Sequence, residues 1–294
     1  MILVTGGTGF VGSRVVHALR AEDRAVRCLV RKPERAGALR AWGCELAQGD
    51  VTDPASLRHA AAGCSAVVHL VSIITGPRSA FERVMVQGTR DLVAAAKEAG
   101  VHRFVLMSAL GVSAESRNLV PYYWAKWEME QTVQGSGLEH VIFRPSFVFG
   151  RDGGVLPTFV RQVRWSPVVP VVGDGERRLQ PIWVDDVAAF FARAIGLDAA
   201  ANRTFELGGP ESLTWNELYA RIARVLGKRR AQLHLPVSMV RAGAAVAEHL
   251  PKAPITRDQL TMLAAADNVC DNTSARETFG IDLTPLDEQL RRAA

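Results

Sequence analysis

The sequence predicts a doubly wound α/β protein, in which helices cover both faces of a parallel β-sheet. Short apolar segments alternate along the first half of the chain with segments of helical spacing, which is typical of repeated β-α-β units. The strand segments are apolar throughout, as expected of strands buried on both faces. Gly63, Gly100 and Gly137 each come just before a strand, where the end of a helix favours glycine.

The elements of the first half follow from these patterns in chain order. The predicted strands are Ile2–Val4, Ala25–Val30, Glu45–Ala47, Ala66–Leu70, Arg103–Met107 and His140–Phe143. Apolar residues at helical spacing predict helices at Phe10–Arg20, Ala55–Ala61, Ala80–Ala99 and Tyr122–Gln134.

The pattern changes after Gly150, where glycine and proline become dense and the strands become isolated. The predicted elements are helices at Leu156–Arg164, Asp185–Ile195 and Trp215–Leu226, strands at Gln180–Trp183 and Thr204–Leu207, and a largely helical tail from Pro236. We therefore predict a dinucleotide-binding domain over residues 1–150 and a smaller, mostly helical substrate-side lobe over residues 151–294, packed on the first domain.

The composition narrows the class of protein. Of the 294 residues 48% are hydrophobic and 22% charged, which is ordinary for a cytoplasmic globular protein, and there is no signal-peptide pattern. The four cysteines and seven histidines show no metal-ligand spacing, so we expect reduced, buried thiols and no metal. The net charge of +5 suits an anionic ligand, but no basic–aromatic platform predicts nucleic-acid binding, and no apolar run predicts a transmembrane segment.

A glycine-rich loop follows the first strand and opens the first helix. It reads TGGTGFVG over Thr5–Gly12, with Gly6, Gly9 and Gly12 three residues apart. Glycines at this spacing allow a tight turn, a close approach of backbone to a pyrophosphate, and close packing of helix on strand. The loop predicts a Rossmann-type dinucleotide site, in which Thr8, Phe10 and Val11 also contact the cofactor.

The residues after the second strand discriminate between NAD and NADP. An acidic residue there would hold the ribose 2′-hydroxyl of NAD. This chain has Arg31 and Lys32 instead, with Arg35 nearby, and a guanidinium can bind a 2′-phosphate through two hydrogen bonds. We therefore expect NADP(H) as the cofactor, with NAD(H) less favoured.

Several further segments carry a family resemblance. They are GDVTD at Gly49–Asp53, VVHLVS at Val67–Ser72, VQGT at Val86–Thr89, RPSFVFG at Arg144–Gly150, WVDDVA at Trp183–Ala188 and FELGGPESLTW at Phe205–Trp215. With the glycine loop, the chain resembles the short-chain dehydrogenase/reductase superfamily, specifically its extended and atypical epimerase/dehydratase-type members, and is similar to the nucleotide-binding accessory subunit of respiratory complex I. The resemblance implies cofactor contacts from Asp50, Val51, Val71 and Pro145.

The superfamily's catalytic pattern, Tyr-x-x-x-Lys, is present as Tyr122 and Lys126. This spacing places both side chains on one face of a helix, where a lysine cation would lower the tyrosine pKa. Tyr122 would then exchange a proton with a substrate oxygen, and Lys126 would also hold the nicotinamide ribose. The third member of the pattern is Ser108 at the end of the fifth strand, with Ser113 as the alternative.

Two features depart from the pattern of the extended family. One alignment of the fifth strand places Ala109 in the serine position, and Met85 stands where asparagine is usual. Three functions therefore stay open: an NADP(H)-dependent oxidoreductase acting on a small carbonyl, alcohol or quinone-like substrate, a non-catalytic NADP(H)-binding structural or regulatory protein, and an NAD-dependent sugar-nucleotide epimerase or dehydratase.

The second half offers substrate and surface candidates. They are Ser146, Phe147, Arg177, Arg178 and Gln180 for substrate contacts, the apolar stretch Val163–Val172 for a lipid- or quinone-like pocket, and Val237–Leu250, with Arg241 and Glu248, for peripheral contact with a membrane or partner. Packing within the core is the alternative for both apolar segments. The sequence leaves open whether the protein is a monomer or a homodimer.

Overall fold

The computed structural model describes residues 1–247 and 256–294 and divides the chain into two compact units. The first unit comprises Met1–Pro145, Val184–Leu207 and Asn272–Asp282, and the second comprises Ser146–Trp183, Gly208–Asp271 and Leu283–Ala294. Neither unit is one continuous segment. The predicted division at residue 150 therefore differs from the structure, which returns two later segments to the first unit.

The strands are β1 (Ile2–Thr5), β2 (Val26–Val30), β3 (Glu45–Gln48), β4 (Ala66–His69), β5 (Arg103–Met107), β6 (Glu139–Pro145), β7 (Val148–Phe149), β8 (Val168–Val172), β9 (Arg178–Leu179), β10 (Ile182–Trp183), β11 (Arg203–Leu207), β12 (Leu213–Thr214) and β13 (Ala231–Leu235). The α-helices are α1 (Phe10–Ala21), α2 (Gly37–Ala41), α3 (Pro54–Ala61), α4 (Arg78–Phe81), α5 (Gly88–Glu98), α6 (Pro121–Gln134), α7 (Leu156–Trp165), α8 (Val184–Ala194), α9 (Trp215–Val225), α10 (Val237–Ala247), α11 (Arg257–Ala265), α12 (Thr273–Phe279) and α13 (Leu286–Ala293).

The first unit is built on a seven-stranded parallel sheet in the order β11-β6-β5-β4-β1-β2-β3. The chain runs outward from β1 to β3 and then returns to place β4 on the other side of β1. This reversal creates a topological switch point between β1 and β4, where α/β proteins of this kind bind ligands. The predicted fold class, a doubly wound Rossmann sheet, is confirmed.

Aromatic packing explains why the later segments belong to the first unit. Phe143 on β6 is fully buried, and its ring centroid lies 4.8 Å from that of Phe191, 5.4 Å from Phe279 and 6.1 Å from Phe205. These partners lie on α8, α12 and β11, all beyond residue 150. Strand β11 pairs in parallel with β6, and α8 packs against α1.

The long helix predicted at Ala80–Ala99 is divided in three. Helix α4 leads into a π-helix at Glu82–Gln87, which continues as α5. A π-helical turn inserts an extra residue into the helical repeat and is frequently found at functional sites. At the other end, Gly100 follows the last helical residues with φ of 72°, in agreement with the predicted helix C-cap.

The second unit contains more strand than predicted. Its helices α7 and α9 match the predicted helices, and α9 begins with a capping box formed by Thr214 and Glu217. Three two-stranded pairs accompany them: β7 with β10, β9 with β12, and β8 with β13. Helix α10 covers the first part of the predicted segment Val237–Leu250, and Glu248 to Leu250 lie outside the described residues. Within the described ranges, no helix is long and apolar enough to cross a membrane.

Candidate dinucleotide and proton-transfer site

The glycine loop leaves β1 at the switch point of the sheet. Gly6 has a φ of 79°, a conformation that favours glycine. A Cβ at this position would lie 3.1 Å from the backbone of both Leu70 and Val71, which follow β4. Gly6 therefore lets the loop pass close to the end of β4, and Val71, a predicted cofactor contact, lies beside the loop.

The loop then turns directly into α1. The Gly9 amide donates to the Gly6 carbonyl at 2.9 Å, and a Cβ on Gly12 would lie 2.0 Å from that same oxygen. Gly9 is the N-cap and provides no side-chain cap, and the first turn carries no acidic residue. The first amides of α1, beginning at Phe10 and Val11, are therefore left to an anionic ligand, which the helix dipole also favours. Thr8 is exposed at the tip of this loop.

Two cations follow β2 on the same edge of the sheet. Arg31 and Lys32 are both exposed, and 82% of the Arg31 side chain is accessible. The Arg31 guanidinium lies 4.0 Å from the carboxylate of Asp50, which accepts hydrogen bonds from the amide and hydroxyl of Thr52 at 2.9 and 2.8 Å. An exposed ion pair of this length contributes little free energy, so the guanidinium can move to a stronger anion.

Val51, next to Asp50, is buried against the start of α5. A Cβ on Gly88 would lie 3.1 Å from the Val51 carbonyl oxygen. This close contact fixes the loop after β3 relative to α5.

Tyr122 and Lys126 lie on α6, as the spacing predicts. Lys126 is fully buried, and its Nζ donates to the Met107 carbonyl at 2.7 Å and lies 5.8 Å from the centre of the Tyr122 ring. Burial lowers the Lys126 pKa to about 7, and the charge of Glu130 only partly opposes this shift. The Glu130 carboxylate is itself bound by both arms of the Arg144 guanidinium, at 2.9 and 2.6 Å.

The pKa of Tyr122 shifts in the direction opposite to the prediction. Burial raises it to about 12, the hydrogen bond with Ser72 opposes this rise, and Tyr123 adds to it. The expectation that Lys126 would lower this pKa fails because desolvation of the phenolate is the larger effect. In addition, a lysine whose pKa is near 7 carries only a fractional charge at neutral pH.

The two serine candidates differ in their hydrogen bonding. Ser108 is buried, its amide donates to the Phe143 carbonyl at 2.7 Å, and its hydroxyl has no protein partner in the described part of the chain. Ser113 instead accepts from the Ser116 amide at 3.2 Å within a local turn. Ser108 directly follows Met107, whose carbonyl accepts the hydrogen bond from Lys126 Nζ, whereas Ser113 comes six residues after Met107.

A buried polar chain beside the site was not singled out from the sequence. His69, at the end of β4, has Nδ1 2.6 Å from the Thr5 hydroxyl and Nε2 3.1 Å from the Thr89 hydroxyl, which donates to the Met85 carbonyl at 2.5 Å. A histidine among the apolar residues Val67–Val71 was the available sequence signal. Ser72, in the same segment, is the hydrogen-bond partner of Tyr122 and was visible in the sequence as a polar residue after the fourth strand.

The polar side chains of the second half that were predicted to contact substrate instead form hydrogen bonds within the second unit. Gln180 donates to the Gly209 carbonyl and accepts from the Cys270 amide, at 2.8 and 2.9 Å. Arg178 donates to the carbonyl and hydroxyl of Ser212. These bonds join segments that are distant in sequence, which gives both side chains a structural role.

Ser146 and Arg177 also form hydrogen bonds within the second unit. The Ser146 hydroxyl contacts Asn268 Oδ1 at 2.5 Å, and Arg177 donates to the Ala264 carbonyl at 3.1 Å. Pro145, predicted to contact the cofactor, ends β6 in the first unit and accepts from the Leu110 amide at 2.9 Å.

A glycine loop at the switch point of a parallel sheet, with tyrosine and lysine one helical turn apart on α6, defines a dinucleotide-binding protein of the short-chain dehydrogenase/reductase class. The chain matches the NAD(P)H-binding family model over residues 6–196 and the RmlD substrate binding domain model over residues 113–293. It belongs to the NAD(P)H-binding family. The predicted resemblance to the superfamily and the predicted class of cofactor are confirmed.

Relatives with curated names differ in what they do. The chain is 30% identical over 291 residues to the ceramide reductase of Caulobacter vibrioides, covering 97% of this chain and 86% of the relative. It is 28% identical over 239 residues to the photosystem II assembly factor Ycf39 of Guillardia theta, covering 81% and 74%. A crystal structure of an NADPH-dependent quinone oxidoreductase from Escherichia coli, complexed with NADPH, shares the fold with a TM-score of 0.82, 23% identity and coverage of 99% and 98%.

Proposed function

We propose that this protein is an NADP(H)-dependent oxidoreductase that transfers hydride to or from a small carbonyl, alcohol or quinone-like substrate. The observation that carries the proposal is the pair formed by Tyr122 and the buried amine of Lys126 on α6. A buried amine is costly to maintain, and such groups are concentrated at functional sites. The reductase names of a relative and of a structural neighbour support the same reaction class.

NADP(H) is favoured over NAD(H) by the charges near the loop. The first amides of α1 suit the pyrophosphate, and Arg31 and Lys32 offer two exposed cations at the end of β2, where a 2′-phosphate would bind. The neighbouring carboxylate of Asp50 holds Arg31 only through a long, exposed contact.

The residues of this chain suit the donation of a proton. A bound nicotinamide supplies or accepts the hydride in this chemistry. Tyr122, with a pKa of about 12, keeps its proton at neutral pH and can donate it to a substrate oxygen. The Ser108 hydroxyl, which has no partner among the described residues, can orient that oxygen, and Lys126 can bind the nicotinamide ribose.

Titration with NADPH and NADH tests the choice of cofactor. We expect tighter binding of NADPH, and Arg31→Ala should remove most of this preference, costing roughly tenfold or more in affinity for NADPH only, as is typical when a charged hydrogen bond is lost. Arg40→Ala, an exposed arginine on α2, is the matched control. Equal affinities in the unmodified protein would contradict the NADP(H) assignment.

Turnover by Tyr122→Phe tests the proton donor. This variant should bind NADPH as before and lose at least a hundredfold in kcat, because general acid catalysis contributes about this much. The control is Tyr123→Phe, which removes a hydroxyl from the next residue and should leave kcat within a few-fold of the unmodified protein. Unchanged kcat in Tyr122→Phe would exclude the assigned role.

A second candidate is a protein that binds NADP(H) without turning it over. Two observations favour it: the Lys126 amine is bonded to the Met107 carbonyl, and buried Met85 occupies the position where the extended family usually has asparagine. The Ycf39 relative is an assembly factor by name. Tight NADPH binding, with no oxidation of NADPH in the presence of aldehydes, ketones or quinones, would select this candidate.

A further inference from the structure

The second unit has a two-stranded parallel sheet, one side of which is apolar and largely exposed. Strands β8 and β13 pair with Val168 opposite Ala231, Pro170 opposite Leu233 and Val172 opposite Leu235. Side chains of paired residues in a sheet point to the same side. One side of this pair therefore carries six apolar residues and no polar one.

The opposite side of the same pair is covered except at His234, which is exposed. Val169 and Val171 are buried, and Gln232 and His234 each bond to Asn216 on α9, both at 2.9 Å. Purely parallel strands almost always have both faces buried. In the described part of the chain, Val172 and Leu235 on the apolar side are half-buried, but the other four residues lack the cover that parallel pairing normally requires.

Exposed apolar side chains also lie next to both strands in the sequence. Trp165 ends α7 and is 78% exposed, whereas Val237 and Met239 begin α10, just after β13. In the described part of the chain, five of the ten large exposed hydrophobic residues belong here. We call this surface the outer strand face; it comprises Trp165, Val168, Pro170, Val172, Ala231, Leu233, Leu235, Val237 and Met239.

The charged residues in the segments that contain the outer strand face are all basic. Residues 155–172 and 226–247 contain Arg161, Arg164, Lys228, Arg229, Arg230 and Arg241 but no aspartate or glutamate, although the whole chain has 30 acidic residues against 35 basic ones. Arg164 and Arg230 donate to backbone oxygens, and Arg241 bonds to Thr261. Arg161, Lys228 and Arg229 are exposed.

We propose that the outer strand face binds the surface of an anionic lipid bilayer. Apolar side chains would enter the boundary between headgroups and acyl chains, Trp165 would lie at the interface, and the exposed cations would contact lipid phosphates. This mode of binding needs no membrane-spanning helix.

The same charges and composition argue against a second copy of this chain, or another protein, as the partner of the outer strand face. A second copy related by twofold symmetry would bring the cations of the neighbouring segments close to those of its partner, and like charges would repel. A protein partner normally forms about one hydrogen bond per 100–200 Å² of interface, and the strand pair offers no side-chain donor or acceptor on this side.

Flotation with vesicles tests the proposal on the full chain. We expect flotation with vesicles of equimolar phosphatidylcholine and phosphatidylglycerol at low salt, and little with phosphatidylcholine alone. The double variant Trp165→Gln, Leu233→Gln should bind the anionic vesicles about tenfold more weakly or worse, since it removes two large apolar groups. Lys228→Gln with Arg229→Gln should weaken binding and reduce its salt dependence.

Leu119→Gln is the matched control, because Leu119 is 46% exposed, close to the 52% of Leu233, and lies outside the face. It should float like the unmodified protein. Circular dichroism and NADPH binding should be the same in all variants, since the changed side chains are exposed and lie outside the proposed NADPH site.

Three outcomes would overturn the proposal. The first is failure of the unmodified protein to float with anionic vesicles. The second is equal flotation by the double variant and the control. The third is a dimer in sedimentation velocity that Leu233→Gln dissociates, because a second copy would then occupy the face.

Discussion

At the scale of single residues, burial decides the protonation of the proposed catalytic pair. Lys126 is 1% exposed and Tyr122 is half-buried, and desolvation favours the neutral form of both groups. The hydrogen bond from Lys126 to the Met107 carbonyl orients the amine but adds no negative charge beside it. The protein therefore keeps a partly neutral lysine in its core, at a cost in stability.

Replacing Lys126 with methionine should stabilise the protein at neutral pH. The folded-state pKa of about 7 lies below the ordinary 10.5, so between these pH values the unfolded chain binds more protons and the free energy of unfolding rises with pH. The loss of stability caused by burying Lys126 is nearly complete at pH 7 and disappears above pH 10.5. Lys126→Met should therefore raise the free energy of unfolding at pH 7 by a few kcal/mol, on the order of the pKa shift.

Urea unfolding at pH 7 and pH 10 measures this effect, and the gain should be much smaller at pH 10. The exposed Lys97 on α5 provides the control, since Lys97→Met should change stability little at either pH. A less stable Lys126→Met protein at pH 7 would mean that the amine is not held against a desolvation cost.

At the scale of elements, His69 connects β1, β4 and α5. Because the Thr89 hydroxyl donates to the Met85 carbonyl, its oxygen accepts from His69 Nε2–H, and Nδ1 is left to accept from the Thr5 hydroxyl. Each polar group is satisfied only with a neutral imidazole. Burial accordingly lowers the His69 pKa to about 3, and Lys126 adds to the effect.

His69→Gln should alter the response of the protein to acid. Since the folded-state pKa lies below 6.5, the unfolded chain binds an extra proton below pH 6.5, and stability falls as pH falls toward 3. One proton corresponds to about 1.4 kcal/mol per pH unit. The variant should be less stable at pH 7 but lose less stability between pH 6 and pH 5.

The comparison requires urea unfolding at pH 7, 6 and 5. His59→Gln, at an exposed position on α3, should keep the pH dependence of the unmodified protein. Identical slopes in all three proteins would show that His69 does not take up a proton on unfolding.

At the scale of the whole molecule, the first unit depends on segments from far along the chain. Phe143 contacts rings on α8, α12 and β11, and α1 packs against α8. A fragment of residues 1–150 would contain the complete glycine loop but would expose β6 and this aromatic cluster.

We therefore expect the fragment 1–150 to lack a cooperative thermal transition and to bind a dye specific for exposed apolar surface. The full chain, measured in parallel, should melt cooperatively. A cooperative transition together with NADPH binding by the fragment would show that the predicted boundary at residue 150 suffices for an independent domain.

Local pattern was enough to predict the features that depend on near neighbours. The helix predicted at Phe10–Arg20 is α1 within one residue, and Gly63 and Gly100 have the positive φ expected after helices. The boundary at residue 150 was not predictable in this way, because the pairing of β11 with β6 leaves no local trace. The hydrogen-bond partners of Arg178 and Gln180 were equally unpredictable from local pattern, since they lie tens of residues away in the sequence.

The sequence by itself determined the class of fold, the position of the dinucleotide loop and the spacing of Tyr122 and Lys126. Each of these follows from residue types at short, regular intervals. Only the tertiary structure decided that the pKa of Tyr122 rises, that His69 joins three elements, and that the outer strand face is largely exposed. Desolvation, long-range hydrogen bonds and exposure depend on which distant segments pack together, and short-range pattern does not encode that.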